Sequence, residues 1–263
     1  MQVGMKPQLV SLILASSWLL AQVPAGAESA FQAGKSAYQA GEFKKAAELF
    51  EKAVELGPPK SAYYHWLGKA TGRRAETTSF LVAPKLAVDC RKAFEKAVAA
   101  DPDNLEAWND LFEYYLSAPG FLGGGQDKAA QAIEQIGRLD PVEKHFAQAR
   151  LAEKQKDYTS AEQHLRQAAE LEPKKVGRWI DLARFLARRG SVQDSDAAFA
   201  KAEQADAASP KLWYARARTY IEGKRNLELA RQLLEKYLAS DKLTPDDPSK
   251  EEARQLVRKA AGG

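Results

Sequence analysis

The stretch KDYTSAEQHLRQAAELEPKK, Lys156 to Lys175, carries an aromatic residue, then Ala and Leu spaced three to four apart, and closes on Pro173. GEFKKAAELFEKAVELGPP from Gly41, CRKAFEKAVAADPDN from Cys90 and, more faintly, GSVQDSDAAFAKAEQADAASP from Gly190 repeat the phrase. Spacing of three to four puts the apolar residues on one helical face. A single copy cannot bury that face alone, so the pattern predicts an all-α chain of stacked copies.

The closing prolines Pro58, Pro102, Pro141 and Pro173 lie 44, 39 and 32 residues apart, around a period of about 34. Ahead of each phrase runs another helical stretch. One holds Tyr64-His65-Trp66-Leu67-Gly68, followed by Phe94 and Ala97; the next holds Trp108, Leu111 and Tyr115, followed by Ala129 and Ile133. Trp179, Leu182, Ala183 and Leu186 precede Phe199 and Ala202, and Trp213, Ala217 and Tyr220 precede Ala230. These residues resemble the tetratricopeptide repeat, a helix-turn-helix unit. His145 departs from it, standing where the family prefers Trp, and the fifth copy lacks its closing Pro.

The resemblance implies a right-handed superhelical solenoid of six repeats, at 28–60, 61–104, 105–141, 142–175, 176–209 and 210–240. Ser249-Lys250-Glu251-Glu252 reads as a capping box. Residues 241–263 are thus expected to be a linker and a helix that hides the last apolar face.

The first 27 residues read as a secretory signal peptide. Lys6 precedes the apolar run Leu9 to Ala21, and Pro24-Ala25-Gly26-Ala27 ends in an Ala-x-Ala cleavage site. The run is shorter than the about 20 residues that span a bilayer, and no later stretch is apolar enough, so no membrane span is expected after cleavage. The expected location is periplasmic or secreted. A net charge of +4 gives no sign of a nucleic-acid partner. Cys90 is the only cysteine, so no disulfide within the chain can hold the fold.

Catalytic and metal-binding signatures such as HExxH, GxSxG or paired cysteines are lacking, and His65, His145 and His164 stand far apart in sequence. No enzyme activity, cofactor or metal is expected. Cys90 occupies a small buried position, which favours a packed thiol over a reactive one. The glycines of Gly120 to Gly125 fit either a tight turn or a nest of N–H groups for an anion, although Gly125 is followed by Gln126-Asp127-Lys128 rather than a P-loop's Gly-Lys-Ser/Thr. Recurrence of Trp108, Trp179 and Trp213 at one repeat position points to helix packing rather than a ligand cage.

Carried over from the family, the ninth position of each first helix faces the concave groove. It holds Lys35, Lys69, Glu113, Arg150, Arg184 and Arg218. Arg73, Arg188 and Lys211 are expected on the same face, with Phe31, Tyr38, His65, Phe146 and Tyr214 between them. Such a column would attract an acidic ligand, and Arg could hold a carboxylate by two prongs; the same residues also suit a merely solvated helix face. The family's carboxylate clamp uses Asn where Lys35 and Lys69 stand, so its partner is not implied.

Two insertions, Gly72 to Pro84 and Ala118 to Gly125, lengthen the second and third repeats by ten and five residues, both between first and second helix. Stacking would place them on one edge, exposing Phe80, Leu81, Val82, Phe121 and Leu122. Two functions follow as expectations. One is a non-enzymatic scaffold of the bacterial envelope, holding an acidic or C-terminal peptide of another protein in the basic groove. The other is a structural assembly factor that contacts an envelope complex through the apolar insertions. The sequence leaves homo-oligomerisation open.

Overall fold

Thirteen α-helices account for the regular structure of the described residues, 25–261, in a computed structural model. They run α1 Ala25–Gln39, α2 Phe43–Leu56, α3 Ser61–Thr77, α4 Ala83–Ala100, α5 Leu105–Ser117, α6 Gln126–Leu139 and α7 Pro141–Lys154. The second half comprises α8 Tyr158–Leu171, α9 Val176–Arg188, α10 Val192–Ala205, α11 Pro210–Glu222, α12 Leu227–Ala239 and α13 Lys250–Ala261. A single 3-10 turn, Gly120–Leu122, sits between α5 and α6. The first twelve helices form six antiparallel hairpins that stack into an all-α solenoid.

The reason for stacking is visible in the composition of each core. Phe50 of α2 packs with Phe31 and Tyr38 of α1, but Tyr63 and Ala70 of α3 complete the same cluster. Phe94 and Val98 of α4 are closed by Ala107 and Leu111 of α5. Ile133 and Ile136 of α6 pack with Phe112 of α5 and Ala147 of α7. Leu165 of α8, Phe185 of α9 and Phe199 of α10 share a cluster that ends on Leu212 and Ala215 of α11. Every hairpin therefore borrows apolar surface from its successor, and the quasi-one-dimensional array follows.

The last hairpin borrows from α13, whose Ala253 and Ala260 are buried with Tyr214, Leu233, Leu234 and Tyr237. Its start is held by a reciprocal capping box: the Ser249 N–H donates to Glu252 Oε2 at 2.7 Å, and the Glu252 N–H donates to Ser249 Oγ at 3.1 Å.

Tight turns join the hairpins of repeats one, four and five, with Gly41, Lys156 and Gly190 all in the left-handed region. Close helix approach needs glycine elsewhere. A Cβ on Gly34 would lie 2.6 Å from Phe50 and one on Gly68 would lie 2.5 Å from Phe94.

Most of the expected leader lies outside the described residues. Ala25–Ala27 open α1, and Ala27 is fully buried in the first core, so a cut after it would remove a packed methyl group.

Candidate functional site: the groove of the first helices

Three stations lie along the first helices of the repeats, α1, α3, α5, α7, α9 and α11, the second and third sharing Arg184 and Arg188. At the N-terminal station, α1 supplies Tyr38 and α3 supplies Lys69 and Arg73. All three hold the chain's own linker. The Tyr38 hydroxyl donates to Asp246 Oδ1 at 2.5 Å, the Lys69 ammonium to Asp246 Oδ2 at 3.2 Å, and Arg73 Nη2 to the Pro245 carbonyl at 3.0 Å. Burial raises the Asp246 carboxyl, but the Tyr38 and Lys69 bonds outweigh it and hold the group below its ordinary value. Tyr38 moves the other way, pushed up by burial and by that same carboxylate.

A middle cleft of about 370 Å³ lies between α5, α7 and α9. Phe146, Arg150, Arg184 and Arg188 line it, and so do Glu113, Glu153 and Asp181. Arg150 forks onto Glu113 through Nε and Nη2, both at 3.1 Å, and Arg188 pairs with Glu153. The middle cleft is thus close to neutral. Asp181 is pushed up to about 6 by burial, against the downward pull of Arg184, Arg178, Arg150 and Arg188.

The third station, about 400 Å³, lies at the C-terminal ends of α9 and α11. Arg184, Arg188, Arg218 and Arg225 line it with Glu222 as the one carboxylate. Arg218 spans to Glu222 at 2.7 Å, an exposed pair within one helix, and Arg225 forks onto Asp196 at 2.8 and 2.9 Å. Among the described residues Arg184 has no carboxylate within salt-bridge distance.

Several expected groove contacts are placed differently. Tyr38 is buried, its hydroxyl covered by Asp246, and Tyr214 stacks 5.1 Å from Tyr237 in the last core. Phe31 is buried against Phe50 and Tyr63, and His65 is buried on Asp110 at 2.7 Å. These rings sit at first-helix positions that the next repeat covers, so Tyr214 packs in the last core and Tyr38 presents only its hydroxyl, to Asp246. Phe146 stays partly exposed, with the Arg178 guanidinium 4.9 Å above its ring. Lys35 lies over Phe31 and Trp66 at 5.9 and 5.5 Å, and Lys211 is exposed at the start of α11. The basic column is also less free than its sequence suggests, because Lys69, Arg73, Arg150, Arg188 and Arg218 all have acidic partners in the chain.

The insertions expose what their sequence exposes. Phe80 is 82 % accessible, Leu81 76 % and Phe121 83 %, with Val82 also exposed and Leu122 half-buried. The Gly120–Leu122 turn packs on α4, the helix into which the first insertion leads. The glycine loop forms no anion nest: the N–H groups of Gly123, Gly124 and Gly125 donate to Gly120, Pro119 and Tyr115 carbonyls. Gly124 has no room for a side chain, since a Cβ there would meet the Ala118 carbonyl at 1.8 Å.

Two tetratricopeptide-repeat family models match residues 27–59 and 152–218. Solved structures of similar fold include the tetratricopeptide-repeat protein TTC0263 of Thermus thermophilus, 18 % identical with TM-score 0.50, covering 90 % of this chain and 100 % of that one. A tetratricopeptide repeat protein of Parabacteroides merdae is 14 % identical with TM-score 0.53, covering 90 % of this chain and 99 % of that one. This chain carries tetratricopeptide repeats. The protein pilF of Pseudomonas aeruginosa shares the fold at 14 % identity and TM-score 0.53, over 88 % of this chain and 97 % of that one. No curated protein matches the sequence significantly.

In this tetratricopeptide-repeat protein the recurring tryptophans have a specific task. The Nε1–H of Trp108, Trp179 and Trp213 donates to the carbonyl six residues earlier, on Pro102, Pro173 and Ala207, at 2.9 to 3.0 Å. Each indole pins the turn entering its own helix, and the bond survives in the repeat that lacks Pro because only a carbonyl is needed. His145 and His164, distant in sequence, meet across α7 and α8 with Nδ1 atoms 3.1 Å apart. Among the described residues no cluster of three or more His, Cys, Asp or Glu side chains could hold a metal, and no helix is long and apolar enough to cross a membrane. Cys90 is buried, and burial, with Asp110 and Glu76, pushes its thiol up to about 12.

Proposed function

We propose that this protein is a non-enzymatic scaffold of the cell envelope that binds an acidic peptide segment of another protein at the C-terminal end of its concave face. Tetratricopeptide repeats bind protein partners, and here the cleft formed by Arg184, Arg188, Arg218 and Arg225 supports an acidic one. That cleft is the observation that carries the reading: four guanidiniums and one carboxylate line it, and while Arg188, Arg218 and Arg225 pair with Glu153, Glu222 and Asp196, Arg184 has no carboxylate within salt-bridge distance among the described residues. A carboxylate entering there gains a charge-assisted, two-pronged bond without breaking an interaction of the resting protein. The envelope location is supported by Lys6 and the apolar run Leu9 to Ala21.

Reversing Arg184→Glu together with Arg218→Glu tests the cleft. Both residues are exposed, so helicity and melting temperature should be unchanged while capture of acidic peptides is lost. Undiminished capture would remove the cleft from the account.

The exposure of Phe80, Leu81 and Phe121 favours a second reading, contact with an envelope assembly through the insertions. Phe80→Ser with Phe121→Ser should then release the assembly and leave peptide capture intact. An assembly that survives both changes would reject it.

A further inference from the structure

The linker between α12 and α13 arrives in the groove as a preformed turn. Thr244-Pro245-Asp246-Asp247 closes with the Asp247 N–H donating to the Thr244 carbonyl at 3.0 Å, and Pro245 fills the second position, which favours its fixed φ. The Thr244 N–H and hydroxyl both donate to Asp247 Oδ2 at 2.9 Å, which stiffens the turn from within. Asp246 is left pointing away from its own turn, and each of its oxygens is taken by a different repeat helix, one by Tyr38 on α1 and one by Lys69 on α3.

This is a ligand geometry made by the chain against itself across 208 residues of sequence. Its hold on the groove helices is polar, while its flanks are tied to the last core by the partly buried Leu243 and by the Tyr237 hydroxyl, which donates to the Pro248 carbonyl. No residue from Asp241 to Ser249 is buried, and the Asp246 and Lys69 side chains are 48 % and 26 % accessible. Exposed pairs of this kind contribute little net stability. Arg73 is also incompletely used: Nη1 donates to Glu76 and Nη2 to the Pro245 carbonyl, while the buried Nε–H has no acceptor among the described residues. A carboxylate lying along Nε and Nη2 would satisfy both, as Glu113 does for Arg150. The resident turn therefore leaves one bond unmade that an incoming acidic turn could form.

We infer that Tyr38, Lys69 and Arg73 form a second recognition station, specific for a Pro-Asp turn of a partner protein, and that the Thr244–Asp247 turn is its resident competitor. When the resident turn leaves, Glu76 is the one carboxylate contact that Lys69 and Arg73 keep among the described residues, so the station becomes a basic site. A partner must displace the turn, and its apparent affinity is reduced by the fraction of time the station is open. The station stands on residues separate from the arginine cleft at α9 and α11.

The test uses the full chain and a fluorescent synthetic peptide copying residues 243–249, followed by anisotropy. Asp246→Asn removes the resident carboxylate without changing side-chain size. It should bind the peptide about tenfold more tightly than the unaltered chain, as expected if the station is open about a tenth of the time. Adding Lys69→Glu to Asp246→Asn should abolish that binding, whereas adding Arg184→Glu and Arg218→Glu should leave it unchanged. Equal affinity with and without Asp246→Asn, no binding to either form, or indifference to Lys69→Glu would each overturn the inference. A failure confined to the Arg184 and Arg218 variants would instead count against the arginine cleft alone. As a check independent of variants, excess peptide should speed tryptic cleavage after Lys242 in the unaltered chain, beside the displaced turn; an unaltered cleavage rate at saturation would also overturn it.

Discussion

Replacing Gly68 by Ala should destabilise this protein although alanine is the better helix former. A Cβ at Gly68 would lie 2.5 Å from both Cδ1 and Cε1 of Phe94, against an ordinary carbon contact of about 3.5 to 4.0 Å. The ring would have to move by about 1 Å, yet Phe94 is only 6 % accessible and packs against His65, with ring centres 5.9 Å apart. Overpacking of this size costs about 2 to 3 kcal/mol. Alanine returns about 1 kcal/mol of helix propensity, so the net loss is about 1 to 2 kcal/mol. In a chain of this length that lowers Tm by about 4 °C.

Gly177→Ala is the matched control. Nothing lies within 4 Å of its Cβ position, so the same exchange should raise stability by about 0.5 kcal/mol. Thermal and urea unfolding followed by circular dichroism would compare both with Gly68→Ala plus Phe94→Leu, where a smaller, more flexible side chain relieves the clash. The double variant should be about 1 kcal/mol more stable than the sum of its parts. A Gly68→Ala protein that melts higher than the parent, or no coupling to Phe94, would refute the packing of α3 on α4.

Asp181, pushed up to about 6, binds its proton in the folded chain at pH values where the unfolded chain has released it. Its contribution is therefore fully present below about pH 4 and lost as pH rises through 6. Asp181→Asn should flatten that part of the stability profile, which denaturant titrations from pH 4 to 7 would show. Arg178 sits buried between Glu143 and Glu172, joining α7 and the end of α8 to α9. Arg178→Met should cost about 3 kcal/mol by stranding Glu143, and adding Glu143→Gln should recover part of it, as urea unfolding would reveal. Cys90, buried and held protonated, should resist thiol reagents until the protein unfolds, and reaction at the native rate of a free thiol would contradict its placement.

The fold was legible because the repeat is a statement about burial. Ala161, Leu165 and Ala168 recur at helical spacing since each must face a neighbouring helix, and they are buried in the structure. The groove was legible only as a set of positions. Lys69 and Arg150 are where the repeat register places them, but their partners, Asp246 and Glu113, lie 177 and 37 residues away in sequence. Charge on one helix cannot reveal counter-charge delivered by another. The Tyr214 ring lies in the last core and the Tyr38 ring in the first for a related reason: a first-helix position faces the groove or the next repeat according to a small rotation of the stack, which local spacing does not encode. Asp246 carried a faint signal, an acidic pair flanked by Pro245 and Pro248, which reads as a turn but does not say where the turn docks. Arg225 was missed because it lies in the turn after α11, beyond the helical register.

The central claim is that the groove's arginine cleft selects acidic segments. Val192 is exposed and lines that cleft, so a photo-crosslinking residue placed there can report on its occupant directly. Offered a set of synthetic peptides of matched length, graded from acidic to basic, it should form adducts with the acidic members, and the yield should fall as salt screens the guanidiniums. Equal yields across the set, or a preference for basic peptides, would contradict the account.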